Sequence, residues 1–288
     1  MSNNDLPIEE KNPKISVLIS LYAGDQPEHV DTAFESIFWQ TRQPDEVVVV
    51  TDGPIGTTLT ETVEEWERKH PEIITIVSLS ENQGLGRALQ AGLQKCSYEL
   101  VARMDADDIA VPERFEKQVD FMTSNPDIDV LGGYIAEFAD DPSEIETVRS
   151  VPTDPAEIAT HASYRNPLNH PTVMFRKSTV LAVGGYDDWK SMQDYELWMR
   201  LLNSGYTLAN IPDVLVKARA GAGLYDRRGG LGYAMTEYHI QHRFLKNGHI
   251  RPARFVLNLI LRIPIRIAPK FVRKFVYTTL LRKNKTGV

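Results

Sequence analysis

A chain of 288 residues, 42% hydrophobic and 25% charged, has globular proportions and can hold one large domain or one domain with appendages. It contains no run of about 18 apolar residues, which excludes a conventional membrane-spanning helix, and its single cysteine, Cys96, excludes an internal disulfide and a thiolate metal cluster. The net charge of −7 is unevenly spread: residues 251–288 hold ten basic and no acidic side chains, a segment of +10 following a body of −17.

Residues 1–13 are polar and acidic, without the basic start and apolar middle of a secretory signal, so a cytoplasmic location is expected. Ile15 to Leu21 is a β-branched apolar run that predicts a buried strand. Val30, Ala33, Phe34, Ile37 and Phe38 then recur at helical spacing and stop before Pro44. Val47 to Val50 predicts a second strand, ending at Asp52-Gly53. A helix from about Thr60 to His70, a strand over Ile73 to Leu79, and a helix carrying Leu85, Ala88, Leu89 and Leu93 follow. Leu100 to Met104 predicts the next strand, which runs into Asp105, Asp107 and Asp108. Pro112 opens a helix with Phe115, Val119 and Met122. Alternating strands and helices predict an α/β fold with a mainly parallel sheet, whose ligands sit beyond the carboxyl ends of the strands.

Beyond residue 135 the pattern changes. Residues 139–165 read as loop, followed by a strand near Thr172 to Phe175, a helix over Gln193 to Ser204, a strand near Thr207 to Lys217, and a Gly- and Arg-rich loop over Arg219 to Gly232. Gly132-Gly133 and Gly184-Gly185 mark tight backbone geometry.

Asp105-Ala106-Asp107 after a buried strand places carboxylates where hard oxygen ligands hold Mg²⁺ or Mn²⁺ against phosphate. In isolation such a triplet is as well explained by a turn, and Asp108 by capping of the helix that Pro112 opens. The surrounding motifs decide between these readings. They are Ser16-Val17-Leu18-Ile19-Ser20-Leu21-Tyr22, Ser36-Ile37-Phe38-Trp39-Gln40-Thr41, Asp52-Gly53, Asn82-Gln83-Gly84-Leu85, Met104-Asp105-Ala106-Asp107-Asp108, Gly184-Gly185-Tyr186 and Gln193-Asp194-Tyr195-Glu196-Leu197-Trp198. In order and spacing over about residues 14–220, the chain resembles the glycosyltransferase family 2 enzymes with the GT-A fold. Asn169-His170-Pro171-Thr172 and Arg227-Arg228-Gly229-Gly230 resemble the bacterial exopolysaccharide and O-antigen transferases among them.

The resemblance implies a GT-A catalytic domain over 14–235, with a nucleotide-binding half (14–135) and an acceptor-side half (136–235). Ser20, Leu21 and Tyr22 would contact uridine, Asp52 the uracil ring, and Asn82, Gly84 and Arg87 the nucleotide pocket, with Arg87 near the diphosphate. Asp105 and Ala106 would meet the ribose side, Asp107 would bind the metal with help from Asp105, and Asp194 would be the catalytic base of an inverting, β-forming transfer. Arg219, Arg227 and Arg228 are the loop cations for the diphosphate.

Two departures from the family pattern stand out. Gln193-Asp194 replaces the usual Glu-Asp, and Lys217-Ala218-Arg219-Ala220 lacks the histidine that often completes the metal shell. His170 is a substitute ligand or a structural histidine. Trp198 reads as core and Trp189 is open, each a candidate to stack on the acceptor sugar.

The expected partners are a UDP-sugar, a polyprenyl-diphosphate-linked saccharide and an anionic inner-membrane surface. Nucleic acid is not expected, since the body is acidic and carries no recognition motif. The segment 236–288 reads as basic amphipathic helices broken at Pro264 and Pro269, with Arg262, Arg266, Lys270 and Arg273 on one side. It is either a membrane-surface anchor or a hairpin packed on the body. A nucleotidyltransferase and a silent nucleotide-sugar or lipid-binding module are the rival functions.

Overall fold

Four apolar runs pair in parallel along one half of the sheet: β1 (Ile15–Leu21), β2 (Glu46–Thr51), β3 (Ile74–Ser78) and β4 (Leu100–Asp105), in the order β3-β2-β1-β4 with β3 at the edge. These belong to a computed structural model that describes residues 12–220 and 229–269, with Val272. The strands carry apolar side chains on both faces because both faces are covered. Val17 and Ile19 point into one core with α1 (Pro27–Phe38), α2 (Thr57–Lys69) and α4 (Arg114–Ser124). Leu18, Val48 and Val50 point into the other, with α3 (Leu85–Lys95) and α7 (Gln193–Asn203). The two-residue period of a strand thus sorts one segment between two cores. Gly92 of α3 lies against Leu18 and Val50, where a Cβ would come within 2.4 and 2.5 Å of their methyls, so the helix seats directly on the sheet.

Pairing of Leu21 with Thr51 and of Ser20 with Asp105 brings the carboxyl ends of β1, β2 and β4 to one edge. The sheet then continues with β8 (Met174–Arg176), antiparallel to β4, then β6 (Val130–Phe138), β9 (Leu208–Arg219) and the short β5 (Ile109–Ala110), with β7 (Thr147–Arg149) beside β6. The result is the mixed, mainly parallel α/β architecture that the sequence predicts.

Some elements differ from expectation. The stretch 139–165 holds β7 and helix α5 (Pro155–Ala162), whose start follows from Asp154: its carboxylate accepts from the backbone N–H of Ala156 and Glu157 at 2.9 and 3.1 Å. A 3₁₀ turn (His170–Thr172) precedes β8, and α6 (Lys177–Ala182) follows it. Gly132 and Gly133 lie inside β6 without positive φ. They are small because Asn210 and Leu215 of the bulged strand β9 lie over them. Gly184 and Gly185, in contrast, do adopt positive φ.

The C-terminal helices α8 (Leu231–Lys246) and α9 (Pro252–Ile267) form a hairpin on the body. Because α8 starts at Leu231, the boundary expected after 235 falls inside a helix. Helix α9 also runs through Pro264, contrary to expectation; the carbonyl that loses its donor belongs to Ile260, on the exposed side where water satisfies it. The basic side of α9 faces the hairpin interior at its described members. Arg262 and Arg266 turn inward to the fully buried Glu237, at 2.9 and 3.0 Å, while Lys270 and Arg273 lie outside the described residues. Arg243 of α8 ties the hairpin to the body through Glu196 (3.0 Å) and Asp187 (2.8 Å), and the Tyr195 and Phe244 rings pack edge to face.

Removing one partner of a buried ion cluster strands the others without compensation. Glu237→Ala should therefore cost about 3–5 kcal/mol, read as a lower urea midpoint, with the hairpin's protection from hydrogen exchange lost first.

Candidate active site

One cleft of about 1090 Å³ opens at the carboxyl ends of β1, β2 and β4. Asp52 organises its nucleotide side. Its two carboxylate oxygens accept from the backbone N–H of Gln83 (2.7 Å) and Gly84 (2.9 Å), and Asn82 Nδ2 donates to the Asp52 carbonyl at 3.3 Å. The tight turn before α3 is thus held by a carboxylate that is itself 4% exposed, and Gly84 supplies the positive φ (90°) that the turn requires. Each oxygen keeps a further lone pair, so anchoring the turn leaves Asp52 able to accept from a base. Ser20, Tyr22, Asn82, Gly84 and Ala106 line the same cleft. Two expected members do not. The Leu21 side chain is fully buried in the core, and only its carbonyl serves the site, accepting from the Asp52 N–H at 2.7 Å. Arg87 points to Asp188 (2.6 Å), an exposed ion pair off the cleft lining.

The acidic triplet rests on a cation that sequence reading passed over. Arg103, one pleat before Asp105 and 1% exposed, holds that carboxylate in a two-point pair, with Nη1 donating to Oδ2 at 2.7 Å and Nη2 to Oδ1. Beneath it, buried Arg114 donates to the Arg103 carbonyl at 2.7 Å; burial, then Arg103, push its guanidinium down to about 9. Asp108 is not a cap of the helix after Pro112. Its Oδ1 accepts from the Arg219 N–H at 2.9 Å, fastening the end of β9 to the triplet and placing Arg219 on the cleft wall. Burial first, then Asp105 and Asp107, push the Asp108 carboxyl well above the usual range.

Such crowding of acids is relieved by a divalent cation, and half-buried Asp107 faces the cleft to hold one, so this donor set fits Mn²⁺ or Mg²⁺. Among the described residues no group of three His, Cys, Asp or Glu side chains forms a cage, so diphosphate oxygens and water would complete the shell.

His170 also lines the cleft, but it joins no group of three metal-ligating side chains among the described residues; it is buried, with Nε2 at 2.9 Å from the Tyr186 hydroxyl. Burial, then Arg103, hold its pKa well below the ordinary value.

Asp194 sits in the first turn of α7, where the helix N-terminus favours negative charge, and its Oδ2 accepts from Asn166 Nδ2 at 2.6 Å. Met192 just before it has φ 66°, the one non-glycine residue with positive φ among those described. That strained turn aims the start of α7 into the cleft.

The tryptophans are not there. Trp198 is fully buried core, and Trp189 packs in the hairpin core with Arg243 over its ring at 5.5 Å. Arg227 and Arg228 lie outside the described residues. On the remaining wall, Arg149, Arg165, Lys190, Arg262 and Arg266 make a cationic bank that no motif announced, because β7, the loop after α5 and the hairpin meet only in three dimensions.

Comparison with known proteins agrees with this geometry. The profile described as Glycosyl transferase family 2 matches residues 16–180. The chain belongs to glycosyltransferase family 2. It is 40% identical to the amylovoran biosynthesis glycosyltransferase AmsE of Erwinia amylovora over 265 residues, 91% of this chain and 97% of that one. It is 36% identical to the UDP-Gal:alpha-D-GlcNAc-diphosphoundecaprenol beta-1,3-galactosyltransferase of Escherichia coli over 276 residues, 96% and 99% of the two chains. Among solved structures, S. aureus TarS in complex with UDP-GlcNAc aligns with a TM-score of 0.64 at 19% identity, over 93% of this chain and 76% of that one. The mannosyltransferase of Pyrobaculum calidifontis with GDP-Man and Mn²⁺ gives 0.61 at 18%, over 88% and 69%. The fold is GT-A, and family membership sets the nucleotidyltransferase reading aside.

The buried histidine sets a pH dependence. Because the folded state resists protonating His170 whereas the unfolded chain takes the proton near the ordinary value of 6.5, stability is lost as pH falls below that value. His161, pushed down to about 4 by burial, then Arg165 and Arg149, adds a term of the same sign. The denaturation midpoint should drop between pH 7 and pH 5, and His170→Gln should flatten that slope; an unchanged slope would assign it to other groups.

Proposed function

We propose that the chain is an inverting glycosyltransferase that moves a hexose or N-acetylhexosamine from a UDP-sugar to a saccharide on a polyprenyl diphosphate, forming a β-linkage in O-antigen or exopolysaccharide biosynthesis. The observation that carries the reading is the single cleft lined by Asp52, Asp105, Asp107 and Asp194. The names of the amylovoran and galactosyltransferase relatives, which match this chain nearly end to end, support the acceptor class and the UDP donor.

In this mechanism Ser20, Tyr22, Asp52 and Asn82 bind the nucleoside. Asp105, held by Arg103, faces the ribose, and Asp107 holds Mn²⁺ or Mg²⁺. A bound divalent cation supplies charge neutralisation to the departing diphosphate. Asp194 takes the acceptor hydroxyl proton, the acceptor oxygen bonds to the anomeric carbon, and the bond to the diphosphate breaks with its electron pair leaving on UDP. One displacement inverts the anomeric centre. Arg219 stands at the cleft wall, placed to meet diphosphate charge.

The location that fits is the cytoplasmic face of the inner membrane, with the chain peripheral, since no helix among the described residues is long and apolar enough to cross a membrane. Its contact with the anionic surface would involve the C-terminal segment.

A panel of nucleotide sugars offered with a synthetic saccharide-diphosphate-lipid and Mn²⁺, with UDP release followed, tests the activity directly. Asp194→Asn should lower kcat by about 100-fold to 10,000-fold with UDP affinity intact; equal loss of both would remove the role as base. Asp107→Asn should instead weaken nucleotide binding in a metal-dependent way, and unchanged metal titration would make the triplet structural.

A further inference from the structure

Helix α9 is amphipathic in the inverse sense. Val256, Leu257, Ile260, Leu261, Pro264 and Ile267 recur at spacings of three and four, so they form one stripe, and every one of them is exposed. Ile260 is 63% and Leu261 58% exposed. The polar residues turn the other way: Asn258 donates to the Gln241 side chain at 2.9 Å, and Arg262 and Arg266 meet Glu237. A helix facing water has the opposite arrangement, and a continuous apolar stripe marks a surface that binds something.

Two observations identify the occupant. The stripe is continuous with the active-site cleft, because Leu261 and its neighbour Ile265 line the same cavity as Asp107 and Asp194. Arg262 and Arg266, one turn apart on the same helix, also line it. Their guanidinium groups meet at Glu237 beside this apolar surface. Hydrocarbon next to cations, on an element separate from the one that carries the acidic triplet, is the chemistry that recognises an amphiphile with an anionic head.

We infer that α9 is the acceptor subsite: Arg262 and Arg266 take the acceptor's diphosphate, and the stripe from Leu261 outward takes the first part of its polyprenyl chain, which delivers the acceptor sugar to Asp194. This rests on the reading of the chain as a transferase for lipid-linked saccharides.

The test uses the full chain without vesicles, with a UDP-sugar and two acceptors below their micelle concentrations: one sugar diphosphate esterified with either phenoxyundecyl or methyl. The long-chain acceptor should have a KM about ten-fold lower or better, the worth of a few buried methylenes. Ile260→Ser with Leu261→Ser, at exposed positions that the fold does not need, should bring the two KM values within about three-fold. Arg262→Gln should raise KM for both diphosphates about ten-fold, with the KM for the UDP-sugar unchanged.

A serine variant that keeps the wild-type chain-length preference overturns the inference. So does one that loses only recovery with anionic vesicles, which would give the stripe to the bilayer, or one that changes only the sedimentation coefficient, which would give it to a second copy. Equal use of an acceptor without a diphosphate overturns it while glycosyl transfer stands. Binding of the UDP-sugar with no transfer to any diphosphate acceptor overturns the proposed acceptor class and this inference together.

Discussion

Three carboxylates within four residues, at the end of a buried strand, repel one another and lose hydration as the sheet closes over them. The protein meets that problem from below. Arg103 lies on the same strand, two residues before Asp105, and grips it at both oxygens, and Arg114 stacks a second guanidinium beneath. Asp108, still too crowded to hold its charge easily, is given a backbone N–H from Arg219. Within the triplet, Asp105 is matched by Arg103 and Asp108 by the Arg219 N–H, and half-buried Asp107 lines the cleft beside them.

The same fastening explains how the two halves of the domain share one site. Asp108 belongs to the nucleotide half and Arg219 to the far end of β9, so the hydrogen bond between them closes the sheet from β4 round to β9. Asp194 arrives from a third direction, on a helix whose other side, Leu197, Trp198 and Leu201, is buried in the core beneath α3. Asp194 is precise in position because its helix is core; only the first turn of that helix is cleft.

Much of this could be read in the residues. The runs of β1, β2 and β4 are buried on both faces and the acids stand at their ends, so the parallel α/β half was legible in the pattern, while its nucleotide role came from the resemblance. Strand β6 was obscured by Gly132 and Gly133, which lower strand character while answering to side chains of β9 about eighty residues away. Helix α5 did carry its signal, in Asp154 followed by Pro155 and by Glu157 three residues on, within a stretch otherwise poor in apolar periodicity. Arg87, Leu21 and Trp189 show the limit of motif reading: a motif says which segment reaches a site, whereas side-chain direction depends on neighbours such as Asp188 that lie outside it. The hairpin shows the same limit in charge. Basic spacing on α9 put these residues on one side of a helix without saying which way it faces, and a single buried glutamate on another helix draws Arg262 and Arg266 inward.

The Asp52 clamp has a consequence for how such a site binds. Because one carboxylate holds the backbone of Gln83 and Gly84 in the folded chain, the loop arrives already ordered, and its conformational entropy is surrendered during folding rather than when the nucleotide docks. On the proposed reading, nucleotide affinity is coupled to the local stability of Asp52 and the turn it holds. The binding constant and the opening equilibrium of that turn, as amide exchange at Gln83 and Gly84 would report it, are two measures of one preorganised loop.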